Sequence, residues 1–349
     1  MERSGVKDLN ALQWKRGISP WREVWFYKIN QPQTDPTRFS AFWLRYEILI
    51  PKPEVKIDPF CEVWGIAFRK EGIPVALKQR MPLEQHTLSS DGRIFFGSSF
   101  LSSNSCEGSL SVGGQSFTWK LSYPPFPHPI VLIPEWMNRY WLAKMRLCTP
   151  QFDIAVSGEI IVNGESYRLT HAPAMQGHYW ARQISREWAW AHGSLWSYTT
   201  QEGRSSSAQK LVWEGLSGRI NLGPIMLPPL TAMIALWNGR EIPFNDFSSL
   251  LRTKSRYRLG LWEFASQSFE WQLEGKLTAE KEQIVGVQYT DTDGSPVYCY
   301  NSMIASGELI LRQKRRPGHW MEVLTASAEH SAGMEWGTRE KVGEVSVIL

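Results

Sequence analysis

Histidine and tryptophan alternate with small residues in the middle of the chain, in a pattern that could surround a ligand. Residues 176–192 read QGHYWARQISREWAWAH. Side chains two positions apart share one face of a β-strand, so two sets of rings each share a face: His178 with Trp180, and Trp188 with Trp190 and His192. If the chain reverses near Ser185, both sets converge on one cavity with three indoles and two imidazoles.

Such a cavity suits chemistry that passes through a positively charged intermediate. Protonating a carbon-carbon double bond creates a carbocation, which requires an acid, a site without water, and electron-rich ring faces that stabilise the charge. Tryptophan supplies the ring faces, and His178 or His192 is a candidate proton donor because an imidazole can be tuned across neutral pH. Tyr179 is the third candidate catalytic residue, as an orienting group. The alternative is that these rings are packed core and the histidines are inert.

Tryptophan is abundant along the whole chain, with 18 residues beside 15 phenylalanines and 11 tyrosines. Indoles suit half-buried sheets and the walls of apolar pockets. The candidate residues for binding a ligand are Trp25, Trp64, Trp180, Trp188, Trp190, Trp262 and Arg182. Either Arg182 or Lys28 would hold a carboxylate, ketone or phenol at the polar end of the ligand, or would form a surface ion pair instead.

Signals for other chemistries and partners are missing. The sequence contains no GxSxG, P-loop, GxGxxG or HExxH motif, and no third ligand stands at a metal-site spacing from the histidines. The 38 basic and 34 acidic residues are dispersed, with a net charge of +4, which argues against nucleic acid as a partner. We therefore expect no metal and no cofactor. The cysteines without a CxxC pair, expected as buried thiols, are Cys61, Cys106, Cys148 and Cys299.

Signals for β-strands run from end to end. Four dipeptides that favour the positive φ angles of type I′ hairpin turns lie between apolar runs: Asp91-Gly92, Asn163-Gly164, Asn238-Gly239 and Asp293-Gly294. Residues 269–274 and 308–312 alternate apolar and polar side chains, with Ile310 as an exception, which is typical of strands with one face in a core. Helical periodicity is confined to residues 134–144 and 244–254, where Asn245 or Asp246 could be the N-cap. The sequence predicts an all-β fold of antiparallel sheets with few peripheral helices.

A chain of 349 residues is long for one core, and both halves carry tryptophan-bearing strands and hairpin turns. We predict two barrel or sandwich domains, residues 1–174 and 175–349. The N-terminus lacks the apolar core of a secretory signal, so a cytoplasmic location is expected. Prolines interrupt the apolar run 220–237, which is too short to span a membrane but leaves peripheral membrane contact open. The oligomeric state is not predicted.

Short aromatic motifs across most of the chain resemble those of one protein family. The motifs are Glu23-x-Trp25-Phe26-x-Lys28, His178-Tyr179-Trp180, Trp188-Ala-Trp190, Tyr289-Thr-Asp291 and Tyr298-Cys-Tyr300-Asn301. They resemble the tocopherol cyclase, carotenoid 1,2-hydratase and AttH-like group. The resemblance implies two lipocalin-like β domains in tandem, a long hydrophobic substrate of isoprenoid or polyketide type, and chemistry begun by protonating a double bond.

The chain departs from this family at the acid. The hydratase and cyclase members carry a carboxylate just before the position matching His178, where this chain has Gly177, and Tyr179 and Ala181 replace the more usual Asn and Gly. Apart from His178, the carboxyl groups considered as donors are Glu62, Glu187, Glu214 and Glu263. Three of them directly adjoin a tryptophan, which would place them on the opposite face of their strands.

The leading hypothesis is a cofactor-independent enzyme, of isomerase or lyase type, that binds a lipophilic small molecule and promotes its cyclisation or hydration. A non-catalytic carrier for a lipid or pigment would use the same cavity for burial alone. A module that binds a protein partner would have a cavity filled by its own side chains.

Overall fold

The computed structural model describes residues 8–139, 145–199, 209–219, 221–222, 225–226 and 228–349. Nearly all of this part of the chain is antiparallel β-structure, arranged in two large sheets. The all-β fold predicted from the turns and alternating strands is confirmed.

The first sheet is a nearly closed barrel of strands in the order β4-β3-β2-β1-β12-β11-β9-β8-β7-β6-β5, with β10 paired to β11 and β4 packed near β8. Its strands are β1 (Trp21–Asn30), β2 (Ala41–Ile50), β3 (Phe60–Phe68), β4 (Val75–Pro82), β5 (His86–Leu88), β6 (Ile94–Phe96), β7 (Ser99–Leu101), β8 (Ser105–Val112), β9 (Gln115–Ser122), β10 (Ile130–Val131), β11 (Met145–Val162) and β12 (Glu165–Ala181). A 3₁₀ turn covers Leu83–Gln85, and helix α1 (Glu135–Arg139) follows β10.

The second sheet has the order β19-β18-β15-β13-β25-β24-β22-β21-β20, with β14 paired to β25 and β23 paired to β24. Its strands are β13 (Glu187–Gly193), β14 (Ser197–Thr199), β15 (Leu211–Gly218), β18 (Leu230–Trp237), β19 (Arg240–Phe244), β20 (Lys254–Arg258), β21 (Leu261–Gln267), β22 (Trp271–Thr278), β23 (Val285–Thr290), β24 (Pro296–Arg316) and β25 (His319–Thr338). Strands β16 (Asn221–Leu222) and β17 (Ile225–Met226) form a separate pair, α2 (Phe247–Arg252) joins β19 to β20, and a 3₁₀ turn covers Lys281–Gln283.

One long hairpin in each sheet contains the same irregularity. In β12, His171 has a φ of 53°, and its amide donates a hydrogen bond to the Ser157 hydroxyl of β11 at 3.2 Å. In β25, His330 has a φ of 50°, and its amide donates to the Ser306 hydroxyl of β24 at 3.1 Å. Register shifts near these positions bend the long strands, as bulges do. The two halves therefore use the same device to curve their sheets.

The two sheets pack against each other through outward-facing side chains. In β1, Trp25 points into the first barrel, whereas Phe26 points toward the second sheet. In β13, Ala191 faces the interior of the second sheet, and Trp190 faces the first. The central strands are consequently buried on both faces, and every residue of β2 and β3 is buried. We call this layer between the sheets the interface.

The chain passes from the first sheet to the second between Ala181 and Glu187. Strand β12 belongs wholly to the first sheet. The predicted boundary at residues 174/175 therefore falls inside this strand, and the change of sheet lies beyond it.

The four turn dipeptides all lie between strands or their extensions, but they differ in geometry. Both residues of Asn163-Gly164 and of Asn238-Gly239 have positive φ, as a type I′ turn requires. At Asp91-Gly92 and Asp293-Gly294 only the glycine does. These two connections are longer, because Ser89 bonds to Arg93 and Asp291 to Ser295 across the turn.

The other predictions on local structure are largely confirmed within the described residues. Asp246 caps α2 by accepting from the amides of Ser248 and Ser249, and α1 starts the segment predicted over 134–144, of which residues 140–144 lie outside the described residues. Phe269 is a correction: it precedes β22 and is 77% exposed, so it does not join the core. All four cysteines are free and buried.

Gly177 leaves room for an aromatic ring of the neighbouring strand. A Cβ atom at this position would lie 2.3 Å from the Cζ atom of Phe26, its cross-strand partner. The position that carries the acid in the resembled enzymes is therefore occupied here by a ring.

We expect Gly177→Ala to destabilise the protein by roughly 1–3 kcal/mol, because an added methyl group overpacks this site. Phe26→Leu should relieve the clash, so the double variant should lose less stability than the sum of the two single changes. Urea unfolding of the four proteins measures this coupling. Strictly additive losses of unfolding free energy would show that contact with Phe26 is not the reason for a glycine at position 177.

Candidate functional site

A small cavity lies at the interface, with a volume of about 60 Å³. This volume exceeds the roughly 10–15 Å³ that a cavity needs to hold one water molecule. Apolar and aromatic side chains form most of its wall, and five side chains with charge or hydroxyl groups join them. The lining residues include Phe26, Trp43, Met145, Leu147, Ile184, Trp188, Trp190 and Leu216, with Arg45, Tyr179, Ser185, Tyr289 and Glu335 as the side chains that carry charge or hydroxyl groups.

Two arginines share one carboxylate beside the cavity. Arg45 binds Glu47 with its Nε at 3.0 Å and its Nη2 at 2.6 Å, and Arg22 binds the other oxygen of Glu47 at 2.9 Å. All three side chains are buried. Burial alone would raise the pKa of Glu47, but the two guanidinium groups outweigh it and hold this pKa below its ordinary value. The cluster therefore carries a surplus positive charge.

Arg45 extends from this cluster over the aromatic wall. Its guanidinium carbon lies 4.2 Å from the centre of the Tyr289 ring, and its Nη2 donates to the Tyr179 hydroxyl at 3.2 Å. The guanidinium also stands 5.6 Å from the Trp64 ring centre. These contacts hold the cation at one end of the cavity.

Glu335 of β25 presents a carboxyl group to the same cavity. Its strand partners are Trp190 and Asn301, and the Cys299 thiol lies 3.8 Å from its Oε2 atom. Burial raises the pKa of Glu335 to about 7, against the opposing effect of Arg45. A carboxyl group that is half protonated near neutral pH can donate a proton to a bound ligand.

A second buried carboxyl group, that of Glu214, supports the Trp190 wall from behind. It accepts the indole N–H of Trp190 at 2.8 Å and the hydroxyl of Thr149 at 2.5 Å. Burial raises the pKa of Glu214 to about 7, while these two hydrogen bonds act in the opposite direction. Glu214 does not line the cavity, so it positions the indole.

A cationic group also lies near the far end of β13. Lys28 is buried and bonds to the side chain of Asn30, and burial lowers the pKa of its amine to about 7. His192 bonds through its Nε2 to the Phe152 carbonyl at 3.2 Å. Burial and the nearby Lys28 hold the pKa of His192 well below its ordinary value, so this imidazole is neutral.

The structure separates the two sets of rings that the sequence placed around one volume. Trp188, Trp190 and His192 do share the interface face of β13, and Tyr179 points to the same layer. His178 lies on the opposite face of β12. The predicted convergence of both sets is therefore wrong, because consecutive residues of β12 face opposite sides of the first sheet.

His178 belongs to a buried structural network on that other face. Its Nδ1 bonds to the Leu9 carbonyl at 2.7 Å and its Nε2 to Glu23 at 3.0 Å. Trp25 stacks on the imidazole with ring centres 4.5 Å apart, and Trp180 contacts it at 4.8 Å. These three predicted site residues lie together, away from the cavity.

The remaining predicted binding residues are also separate from the cavity. The side chain of Arg182 is exposed. Trp262 lies in the core of the second sheet and donates to the Ser255 hydroxyl at 2.9 Å. The three other glutamates considered as acids each form an ion pair: Glu62 with Arg80, Glu187 with Arg219, and Glu263 with Lys276.

Sequence reasoning missed Arg45, Glu47 and Glu335. Arg45 and Glu47 alternate with apolar residues in β2, which resembles a strand with a solvated face. Glu335 lies almost 300 residues away from them in sequence. Only the packing of the two sheets brings them together.

The architecture places this chain in a class defined by its fold alone, an AttH-like arrangement of a nearly closed barrel-like sheet and a second sheet. The crystal structure at 2.00 Å resolution of a protein from Nitrosomonas europaea, provisionally assigned as an AttH, has a TM-score of 0.52 to this chain and 10% identity, covering 99% of this chain and 100% of that one. At that identity the likeness shows the fold alone. Two relatives from Mycobacterium tuberculosis, the uncharacterized proteins MT0513 (strain CDC 1551 / Oshkosh) and Rv0493c (strain H37Rv), are each 22% identical over 330 residues, or 91% of this chain and 88% of theirs. No family model matches the chain.

Two features of the described residues bear on the expected partners. No helix among them is long and apolar enough to cross a membrane. The same part of the chain holds no group of three or more His, Cys, Asp or Glu side chains arranged to bind a metal ion. Peripheral membrane contact, suggested by residues 220–237, stays a prediction because several of those residues lie outside the described part.

We expect Glu214 to make the protein less stable as the pH rises. Its pKa in the folded state, about 7, exceeds the ordinary value of 4.5, so the stability it contributes is complete below 4.5 and is lost as the pH rises through 7. Between pH 5 and pH 8.5 the unmodified protein should lose unfolding free energy, and Glu214→Gln should make that loss smaller by on the order of 3 kcal/mol. The measurement is urea unfolding at both pH values.

Exposed Glu308 provides the matched control for this experiment. Glu308→Gln should leave the pH dependence as it is in the unmodified protein. If the unfolding free energy depended equally on pH in the two variants, the raised pKa of Glu214 would be contradicted.

Proposed function

We propose that the protein binds a lipophilic small molecule, of isoprenoid or polyketide type, in the interface cavity and promotes its cyclisation or hydration. The observation that carries this proposal is the Glu335 carboxyl group, which is partly buried and lines the cavity with an aromatic wall and the Arg45 cation. In this proposal Glu335 protonates the ligand, Trp188 and Trp190 form the wall, and Arg45 with Tyr179 orients the reacting part.

The surroundings of Glu335 suit an acid in both of its protonation states. Before proton transfer, burial keeps the carboxyl group neutral. After transfer, the new carboxylate lies close to Arg45, whose surplus charge stabilises it. The positive charge moves onto the ligand, where the indole faces of Trp188 and Trp190 can interact with it. In hydration the added water returns a proton to Glu335, and in cyclisation the ring product does.

The free volume of about 60 Å³ sets a condition on binding. Pockets for drug-sized ligands occupy about 300–1,000 Å³, so a long ligand must displace side chains at the mouth. Tyr179, Ile184 and Trp188 are only partly buried there, and residues 182–186 form no strand. These are the groups that we expect to move on binding.

A non-catalytic carrier is the second candidate function. It is favoured by Gly177, because the position of the acid in the resembled enzymes holds no carboxyl group and is covered by Phe26. A carrier needs the apolar walls but not an acid. The two proposals therefore differ in what the loss of the Glu335 carboxyl group does.

We expect Glu335→Gln to lower product formation at least about 100-fold while changing ligand affinity only a few-fold. The ligand is first identified by native mass spectrometry of protein purified from its host. Turnover in D₂O then reports proton transfer, since deuterium appears on carbon in the product. In the unmodified protein the rate should fall about tenfold per pH unit well above pH 7, because ionised Glu335 cannot donate.

His178→Gln is the comparison variant for this experiment. Because His178 lies on the other face of β12, turnover per folded molecule should stay unchanged. Loss of turnover in this variant with full activity of Glu335→Gln would reverse the assignment of the acid. A ligand that binds but is never altered by the unmodified protein would leave the carrier as the function.

A further inference from the structure

The polar end of the interface cavity contains hydrogen-bond donors that have no partner. The indole Nε1 of Trp43 and the hydroxyl of Tyr289 are both buried and unpaired, and both residues line the cavity. Their side chains are 1% and 2% exposed. A buried donor without an acceptor costs roughly 1–3 kcal/mol, so such groups are usually paired with something.

Arg45 adds a charge to these donors. Its Nε and Nη2 bind Glu47, and its Nη2 also donates to the Tyr179 hydroxyl. Two guanidinium groups share the single carboxylate of Glu47. The cavity end therefore combines a positive charge that lacks a full counter-charge with two unpaired neutral donors.

We propose that this end of the cavity binds an anionic oxygen head group, a carboxylate or enolate, of a ligand whose apolar part lies along Trp188 and Trp190. The inference rests on the proposed function, since it names the class of ligand for the same cavity. One anionic oxygen would accept from Trp43, Tyr289 and Arg45 and would complete the charge balance of the arginine cluster. A neutral hydrocarbon would leave all three groups as they are.

Glu335 controls this head-group site through its own charge. The titratable and charged groups that face it are Arg45 from β2, Tyr179 from β12, Tyr289 from β23 and Cys299 from β24. When Glu335 ionises, it supplies the missing negative charge beside Arg45 and repels an anionic ligand. Anion binding should therefore weaken as the pH rises through about 7.

The test compares octanoate with 1-octanol, which have the same chain length and differ in charge. Isothermal titration calorimetry at pH 6 should show octanoate binding at least about tenfold more tightly than 1-octanol, because hydrogen bonds to a charged group are the stronger kind. At pH 8.5 octanoate should bind about tenfold more weakly than at pH 6, and 1-octanol should be unchanged. Glu335→Gln should remove this pH dependence.

Trp43→Phe and Tyr289→Phe are the most informative variants, because neither breaks a hydrogen bond present in the structure. Tyr289→Phe should keep its thermal stability, and Trp43→Phe should lose no more stability than Trp213→Phe, because both replace a buried indole by a smaller ring. Each cavity variant should bind octanoate roughly tenfold more weakly, while its affinity for 1-octanol changes less than twofold. Trp213→Phe is the matched control. The Trp213 indole is also buried and unpaired, but it lies in the core of the second sheet, so octanoate binding should not change.

The outcomes separate this inference from the proposed function. Equal affinity for octanoate and 1-octanol, with binding lost in Trp188→Ala, would overturn the anionic head group and leave the cavity as a binding site. No binding of either compound would overturn both proposals. A loss of octanoate affinity in Trp213→Phe equal to that in Trp43→Phe would also overturn the head-group site.

Discussion

The sharing of Glu47 by Arg22 and Arg45 is the interaction on which the interface depends. Burying three charges is costly, and the cost is offset only when each charge has close and well-directed partners. Glu47 meets this condition because it accepts two hydrogen bonds from Arg45 and forms an ion pair with Arg22 at 2.9 Å. For Glu335, burial outweighs the attraction of Arg45 and raises the pKa to about 7, so its carboxyl group is about half protonated at that pH. The same layer thus holds one carboxyl group as an anion and another as an acid, and the charges of the two guanidinium groups beside Glu47 account for the difference.

This contrast follows from sheets that are buried on both faces. In β2 the alternation places Leu44 and Tyr46 inside the first barrel and Arg45 and Glu47 outside it. In a single barrel that outer face would be solvated, and the charges would be ordinary surface groups. Here the second sheet covers it, with Tyr289 packed against Arg45. Packing the second sheet onto the barrel converts a surface strand pattern into a buried polar site.

The sequence could therefore predict the sheets but not the site. Turn dipeptides and alternating strands report local geometry, and these predictions are confirmed apart from details such as Phe269. The shared face of Trp188 and Trp190 was also predictable, since it depends only on the period of a strand. From the sequence, Glu214 carries little weight as an acid because it adjoins Trp213, which places the two side chains on opposite faces of β15. That placement is right. The low weight is wrong, because both faces of β15 are buried and the face opposite Trp213 lies at the interface. No local pattern records which outer face another domain will cover.

Glycine positions explain why the cavity lies where it does. Three interface glycines each lie beneath a large side chain: Gly177 beneath Phe26, Gly333 beneath Lys28, and Gly337 beneath Trp188. A Cβ atom at any of them would come within 3.0 Å of the covering group. Between Gly333 and Gly337 on the same face of β25 stands Glu335, which has a side chain where its neighbours have none. The covering groups fill the space above the glycines and leave Glu335 facing the remaining gap. Phe26 occupies the position from which β12 would supply an acid, and the carboxyl group that lines this gap comes instead from β25 of the opposite sheet.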